Sequence, residues 1–297
     1  MSAPTTRPRR VAPMPRAFLA RGTRMCLSTL LLLCISLGAT AAPREARVPG
    51  GVAYVTLAPA NAAPAPQARF AGASVLVTRR NGAWQALVGL PLDLPAGEHR
   101  LEVLTPAGTQ AVAFTVRDKR YPEQRITLKN QGMVTLAPDN AARAEREIEE
   151  IRALKRHWQA VPGQAPDLDF VRPADGRLSG RFGLRRVFNG EPRAPHVGLD
   201  IAVGRGTPVK SAAAGTVLAT GDYFFNGKTV FVDHGQGLLS MYCHLDRIDV
   251  RPGERLARAQ ALGRSGASGR ASGPHLHWSV ILNGAMVDPE LFLAPPP

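Results

Sequence analysis

Five of the chain's seven histidines fall between positions 196 and 277. Four of them stand in three short segments: Pro195-His196-Val197-Gly198-Leu199-Asp200, Tyr242-Cys243-His244-Leu245 and Gly273-Pro274-His275-Leu276-His277-Trp278. Side chains alternate faces along a strand, so His275 and His277 point the same way, ~7 Å apart at Cα, while Leu276 and Trp278 turn into packing. One imidazole of that pair can ligate a divalent metal while the other stands beside an open coordination position. His196 and Asp200 also share strand parity. A straight strand would hold them ~13 Å apart, so ligation by both predicts a bend near Gly198. The glycines and prolines around these residues exclude the helical H-E-x-x-H device.

Two imidazoles and one carboxylate with a fourth position open form the donor set of catalytic rather than structural zinc. Such an ion polarises a carbonyl and lowers the pKa of water toward ~7. Neutral imidazoles nearby can take the proton or stabilise a tetrahedral oxyanion. Each segment alone is a weak signal; their combination within residues 170–295 is what points to a metal site. His234, in Val232-Asp233-His234-Gly235, reads as structural beside a turn, and His99 and His157 lie outside this region. Arg270 reads as a solvated loop residue. Cys243 reads as a small buried packing residue, turned by strand alternation away from the face that shows Tyr242 and His244.

The elements that must hold these residues are short strands. From Pro166 onward strands and turns alternate, with Asn226-Gly227 and Asn283-Gly284 placed as hairpins. Upstream, residues 139–158 carry Ala141, Ala144, Ile148, Ile151 and Trp158 at three- and four-residue spacing, with Asp139 as candidate N-cap. That predicts one amphipathic helix, followed by a linker over 159–169. Residues 69–130 hold short alternating runs: Val75–Thr78 leads through Asn81-Gly82 to Trp84–Val88, and His99–Leu104 turns at Pro106-Ala107-Gly108 into Ala111–Val116. Both central positions of a two-residue hairpin need positive φ, which Asn-Gly supplies. Residues 42–68 are rich in Ala and Pro, with Val52–Leu57 as a candidate edge strand. The fold class expected is predominantly all-β: an N-terminal β-sandwich over about 45–130, a linking helix, and a C-terminal antiparallel β domain over 170–295.

The first 24 residues hold six arginines and no acid, followed by the apolar run Cys26–Leu37 and the small-residue site Gly38-Ala39-Thr40-Ala41-Ala42. This reads as a secretory signal over 1–41, too short for a comfortable membrane span. The alternative is an uncleaved signal anchor. Cleavage after Ala41 would lower the formal charge from +14 by six, to +8, and leave Cys243 as the one cysteine. The exported chain must then be stable without an internal disulfide. An apolar fraction of 44% with 20% charged residues excludes wholesale disorder. The 37 basic residues form no block and no aromatic-interleaved stripe, so nucleic acid is not an expected partner.

Residues 170–295 resemble the lysostaphin-type, or LytM-type, zinc metallopeptidases. The resemblance rests on Gly180-Arg181-Phe182-Gly183, His196-Val197-Gly198-Leu199-Asp200-Ile201-Ala202, Gly206-Thr207-Pro208-Val209, Gly215-Thr216-Val217, Tyr242-Cys243-His244-Leu245, Gly266-Ala267-Ser268-Gly269, Gly273-Pro274-His275-Leu276-His277 and Asp288-Pro289. It implies His196, Asp200 and His277 as ligands of one Zn2+ per chain. It implies His244 and His275 as the catalytic pair, with the main base left open between them. Residues 45–130 resemble the immunoglobulin-like N-terminal domain of some exported members, mainly in architecture. The implied function is an exported, periplasmic metalloendopeptidase hydrolysing peptide cross-links of peptidoglycan, a D,D-endopeptidase by context. The alternatives are a non-catalytic regulator of cell-wall amidases, a wall-binding module and a secreted bacteriolytic protease. The expected partners are peptidoglycan stem peptides and an unidentified regulatory protein, with no membrane span after signal cleavage. The helix and Pro-rich joint also suggest a hinge by which the N-terminal domain could cover the catalytic groove.

Overall fold

The computed structural model describes residues 43–105, 108–127, 137–160 and 165–294. The expected signal over 1–41, Pro106-Ala107 and the Pro162-Gly163 joint lie outside the described residues. No helix among the described residues is long and apolar enough to cross a membrane. The fold is predominantly β, as the alternating patterns require.

Strands Val52–Pro59, Ala83–Gly89 and Leu76–Arg80 pair in that order as one antiparallel sheet, with Val52–Pro59 at its edge. A second sheet runs in the order Ala73–Ser74, Gln67–Phe70, Gly97–Thr105, Gly108–Val116. Period-two alternation turns Ala53, Val55, Ala86 and Val88 of the first sheet toward Ala68, Phe70, Leu101, Val103 and Phe114 of the second, closing a sandwich core. At the tip, Asn81 and Gly82 adopt φ of 50° and 72°, the mirror-image turn expected of Asn-Gly.

The opposite face of the first sheet is apolar too. Val52, Tyr54, Leu76 and Leu87 belong to the same buried cluster as Leu199, Ile201, Trp278, Val280 and Leu282 of the C-terminal β region. Polar contacts reinforce this junction: Asn283 Oδ1 accepts the Gly89 N–H at 2.6 Å, and its Nδ2 donates to the Gly89 carbonyl at 3.1 Å. The described residues form one compact unit.

The C-terminal region is a ten-stranded sheet whose main path runs Arg255–Leu256, Gly215–Tyr223, Gly227–Gly235, Leu238–Ile248, Leu276–Leu282, Leu199–Ala202, Arg177–Gly180, all antiparallel. Asn283 and Gly284, with φ of 44° and 82°, close the expected two-residue hairpin. The turn at Asn226-Gly227 is different. Strand pairing ends at Tyr223↔Gly227, so Phe224–Asn226 form a three-residue loop and Gly227 alone takes the left-handed conformation.

The helix spans Pro138–Lys155 and corrects three expectations. Its N-cap is Ala137, not Asp139, because Pro138 is pre-organised for the first helical position and has no N–H to leave unpaired. Asp139 instead sits in the first turn, where its charge meets the positive end of the helix dipole. Trp158 lies beyond the helix end, and Ile148 is 38% exposed; the apolar contact with the sheet comes from Ala144, Ile151 and Leu154. Polar residues complete the docking. Glu147 accepts the Phe224 N–H at 2.5 Å, Glu150 accepts the Tyr223 hydroxyl at 2.9 Å, and Arg143 donates to the Asp222 carbonyl at 2.9 Å. The helix therefore braces the loop Phe224–Asn226, which borders the histidine cluster.

Candidate metal centre

The floor of the site is two paired strands. Leu199–Ala202 and Leu276–Leu282 run antiparallel with Asp200 directly opposite His277, so their side chains rise on one face of the sheet. Leu199, Ile201, Leu276 and Trp278 point the other way and are fully buried, as alternation requires. His196 precedes its strand, and the chain bends at Gly198 as the spacing demanded. The bend brings His196 Nε2 to 3.0 Å from Asp200 Oδ1. His277 Nδ1 lies 2.9 Å from the same oxygen and 3.0 Å from His196 Nε2. Glycine is needed beneath this cluster: a Cβ on Gly180 would stand 2.3 Å from Asp200 Oδ2.

Three potential donor atoms thus converge, two from residues four apart and the third from a strand 77 residues beyond Asp200, all on partly buried residues. A tetrahedral ion with bonds of about 2.0–2.2 Å separates its ligands by about 3.4 Å, so this cluster fits one with a few tenths of an ångström of outward adjustment. The protonation pattern fits as well. His196 Nδ1 faces the Arg181 carbonyl at 2.9 Å; a carbonyl only accepts, so the neutral ring carries its proton there and turns a lone pair inward from Nε2. Burial opposes ionisation of Asp200, yet its contacts with the His196 and His277 rings hold its carboxyl far below the usual carboxylate range. The donor set, two imidazoles and an ionised carboxylate, is that of a zinc site with an open position.

His244 and His275 stand over this triad. Their ring centroids are 4.7 Å apart, and His244 lies 6.1 Å from His277 by the same measure. His275 Nε2 is 3.7 Å from Asp200 Oδ1. Both rings are anchored like that of His196: His244 Nδ1 donates to the Ser268 carbonyl and His275 Nδ1 to the Gly273 carbonyl, each at 2.8 Å. Each therefore presents a bare Nε2 when neutral. Burial pushes the His244 imidazole down to about 4, with His275 and His277 adding to the effect.

The path of the strand that carries His244 departs from the alternation expected of it. Cys243 is opposite His277, on the face that carries the site, whereas Tyr242 is opposite Trp278 in the core behind the sheet. His244 has φ of 60°, and the register of its strand shifts against both neighbours: between Lys228 and Val230 of Gly227–Gly235, and between its own Leu245 and Arg247 in the pairing with Ala261–Ser265. This bulge swings His244 back to the face of Cys243. Cys243 is still a packing residue: it is fully buried among Tyr223, Phe231, Leu239, Met241 and Ile281, and burial pushes its thiol up to about 11.

The other residues singled out in the sequence stand apart. His234 is buried, with Nδ1 on the Ala214 carbonyl and Nε2 on the Ser240 hydroxyl. His157 pairs with Asp233 at 3.1 Å, and His99 Nε2 faces the Pro95 carbonyl. Arg270 is exposed at the rim, its main-chain N–H bonded to the Phe225 carbonyl and its guanidinium 6.0 Å from the Phe224 ring. Sequence reasoning missed the anchors of the rings, because Arg181, Ser268 and Gly273 contribute only main-chain carbonyls. It also missed Ser279, whose hydroxyl lies 2.9 Å from His277 Nε2. Its position two residues beyond His277 on one strand was the available signal.

Comparison with known proteins agrees with this geometry. Residues 194–289 match the model of peptidase family M23, and residues 45–119 match that of the M23 N-terminal domain. The solved structure of a putative peptidase M23 from Pseudomonas aeruginosa is 44% identical and superposes with a TM-score of 0.70, covering 84% of this chain and 96% of that one. Two proteins of Vibrio cholerae, the peptidoglycan DD-endopeptidases ShyA and ShyC, are 39% identical over 113 residues and 36% identical over 141. These matches cover 38% and 47% of this chain. The chain spans only 26% and 30% of the length of those two relatives.

Proposed function

The chain belongs to peptidase family M23, and on that premise we propose that it is an exported zinc endopeptidase that hydrolyses peptide cross-links of peptidoglycan. The observation that carries this reading is the convergence of His196, Asp200 and His277 beneath the paired imidazoles of His244 and His275. The D,D specificity is supported by the naming of the Vibrio relatives as peptidoglycan DD-endopeptidases. Export to the periplasm is supported by the arginine-rich start, apolar run and small-residue site of residues 1–42.

In this reading His196 Nε2, Asp200 Oδ1 and His277 Nδ1 hold the ion. Zinc there supplies Lewis acidity, polarising a peptide carbonyl and making water acidic enough to lose a proton near neutral pH. The chain's own residues do the rest. Nε2 of His244 or His275 accepts the proton of the attacking water, and the imidazolium so formed can donate that Nε2–H toward the developing oxyanion, with the other ring beside it. The Ser268 and Gly273 carbonyls keep both rings in the tautomer that leaves Nε2 bare. The proton taken up then passes from Nε2 to the leaving amine.

The test is mass spectrometry of purified sacculi incubated with the chain, with parallel samples containing a chelator or the His277→Ala variant. Chelator-sensitive release of monomers from cross-linked dimers, absent in the variant, is the expected result. Intact cross-links despite stoichiometric bound zinc would sink the reading and move weight to a regulator of amidases.

A further inference from the structure

Each of the four site histidines has one ring nitrogen turned away from the centre and held from behind. For His196, His244 and His275 that nitrogen is Nδ1 and the partner is a main-chain carbonyl, of Arg181, Ser268 and Gly273. Because a carbonyl can only accept, the backbone alone decides where those rings keep their proton. His277 is built the other way round. Its Nδ1 points inward, and its Nε2 meets the Ser279 hydroxyl at 2.9 Å. A hydroxyl both donates and accepts, so the main chain leaves the tautomer of this one ring open.

The choice matters because His277 Nδ1 is 2.9 Å from Asp200 Oδ1. A proton on Nδ1 would be donated to that carboxylate, with the Ser279 O–H donating to Nε2, and His277 would have no lone pair to offer a cation. With the proton on Nε2, donated to Ser279 Oγ, Nδ1 is bare and faces the point where His196 Nε2 and Asp200 Oδ1 meet. The ring is neutral and carries one proton in both arrangements.

A second observation marks this hydrogen bond as built in. Ser279 is fully buried. Gly198, on the bend between His196 and Asp200, lies directly over the bond: a Cβ there would stand 2.6 Å from Ser279 Oγ and 2.7 Å from His277 Nε2. Gly198 is not among the residues of positive φ, so close approach, not backbone conformation, is what excludes a side chain at this position.

We propose that Ser279 is a positioning residue for the metal centre, accepting the Nε2–H of His277 so that Nδ1 presents its lone pair to the ion. The proposal rests on the zinc reading above and concerns metal affinity, which is measured apart from peptide hydrolysis. Hydrogen-bond partners of metal-bound histidines fix ring orientation and tautomer, and their loss typically weakens metal binding 10–100-fold.

The experiment is competition for Zn2+ between a chromophoric chelator and the full chain, its Ser279→Ala variant and its Ser279→Thr variant. The alanine variant is expected to bind zinc 10–100-fold more weakly, and the threonine variant, which keeps the hydroxyl, within about 3-fold of the parent. Melting temperatures of the metal-free proteins within about 3 °C of one another separate lost positioning from lost folding. Independently of any variant, 15N imidazole correlations of the zinc-loaded parent should place the His277 proton on Nε2. An alanine variant with parental zinc affinity, or a loaded parent with that proton on Nδ1, overturns the proposal. A parent that binds no zinc would instead overturn the functional reading on which it rests.

Discussion

The imidazole of His244 stands 4.7 Å, centroid to centroid, from that of His275, although the two residues come from different segments and neither lies on a regular stretch of ladder. The bulge at His244 and the isolated bridge between Gly266 and His275 place them side by side over Asp200. His244→Ala and His275→Ala should each lower kcat by about 10²–10⁴ while zinc stoichiometry stays at one, since proton transfer is lost and the ligands are untouched. Turnover on isolated cross-linked dimers, with metal analysis of the same samples, checks this. A variant that keeps full kcat removes its histidine from the mechanism.

The pH profile should differ from that of solvent-exposed histidines. Ordinary imidazoles would place the acid limb near pH ~6. Burial first, then neighbouring His275 and His277, holds His244 neutral down to about 4. If His244 is the proton acceptor, activity is present above its folded value and lost as pH falls through it, so the midpoint of the acid limb of kcat/KM should lie below 6. An acid limb centred at 6.5 would assign the base to a more exposed group.

Metal removal should abolish hydrolysis, and added Zn2+ should restore it in the parent chain. Asp200→Asn should not be restored at the same zinc concentration. Its replacement removes the anionic ligand that meets both His196 and His277 at one oxygen. Recovery of full activity by Asp200→Asn at equimolar zinc would contradict the assigned ligand set.

Cys243 should be inert to thiol reagents in the folded chain. It is fully buried, and burial raises its pKa to about 11, so the thiolate that reacts is scarce at neutral pH. Cys243→Ala should retain hydrolysis and lose stability by on the order of 1 kcal/mol for the small cavity. Rapid labelling in native buffer would disprove the packing assignment.

A chain beginning near Pro166 should be destabilised, because Val52, Tyr54, Leu76 and Leu87 share one apolar cluster with the C-terminal sheet. Full burial of side chains of this size is worth about 1.5–3 kcal/mol each, so their loss should lower the melting temperature by about 5 °C or more. Calorimetry checks this. An unchanged melting temperature with faster hydrolysis would instead favour an N-terminal domain that covers the groove and detaches freely.

Much of the site was legible from residue order. The pair His275 and His277, with Leu276 between them and Trp278 after, needs only the period of a strand. The requirement for a bend at Gly198 follows from the reach of an extended chain. The sandwich and its Asn81-Gly82 turn follow from alternation and from the positive φ that Asn and Gly tolerate. The helix was legible in extent within three residues of its end, but not in its burial: Ile148 is exposed because the sheet contact lies along Ala144, Ile151 and Leu154.

What residue types and local spacing determined by themselves, then, was the chemical inventory: four histidines and one aspartate on short strands, with small residues wherever the backbone must turn. These are properties of the chain over a few residues, where sterics and strand periodicity act. Which of those groups meet, and in what protonation state, was decided by tertiary structure. A left-handed residue at His244 put it on the same face as Cys243, where a regular strand would set the two on opposite faces. Carbonyls of Arg181 and Ser268 came from other segments to hold His196 and His244, whereas Gly273 and Ser279 stand two residues from the rings they hold. A carbonyl has the same chemistry at every residue, so only its position in space, set by the packing of distant strands, makes it an anchor.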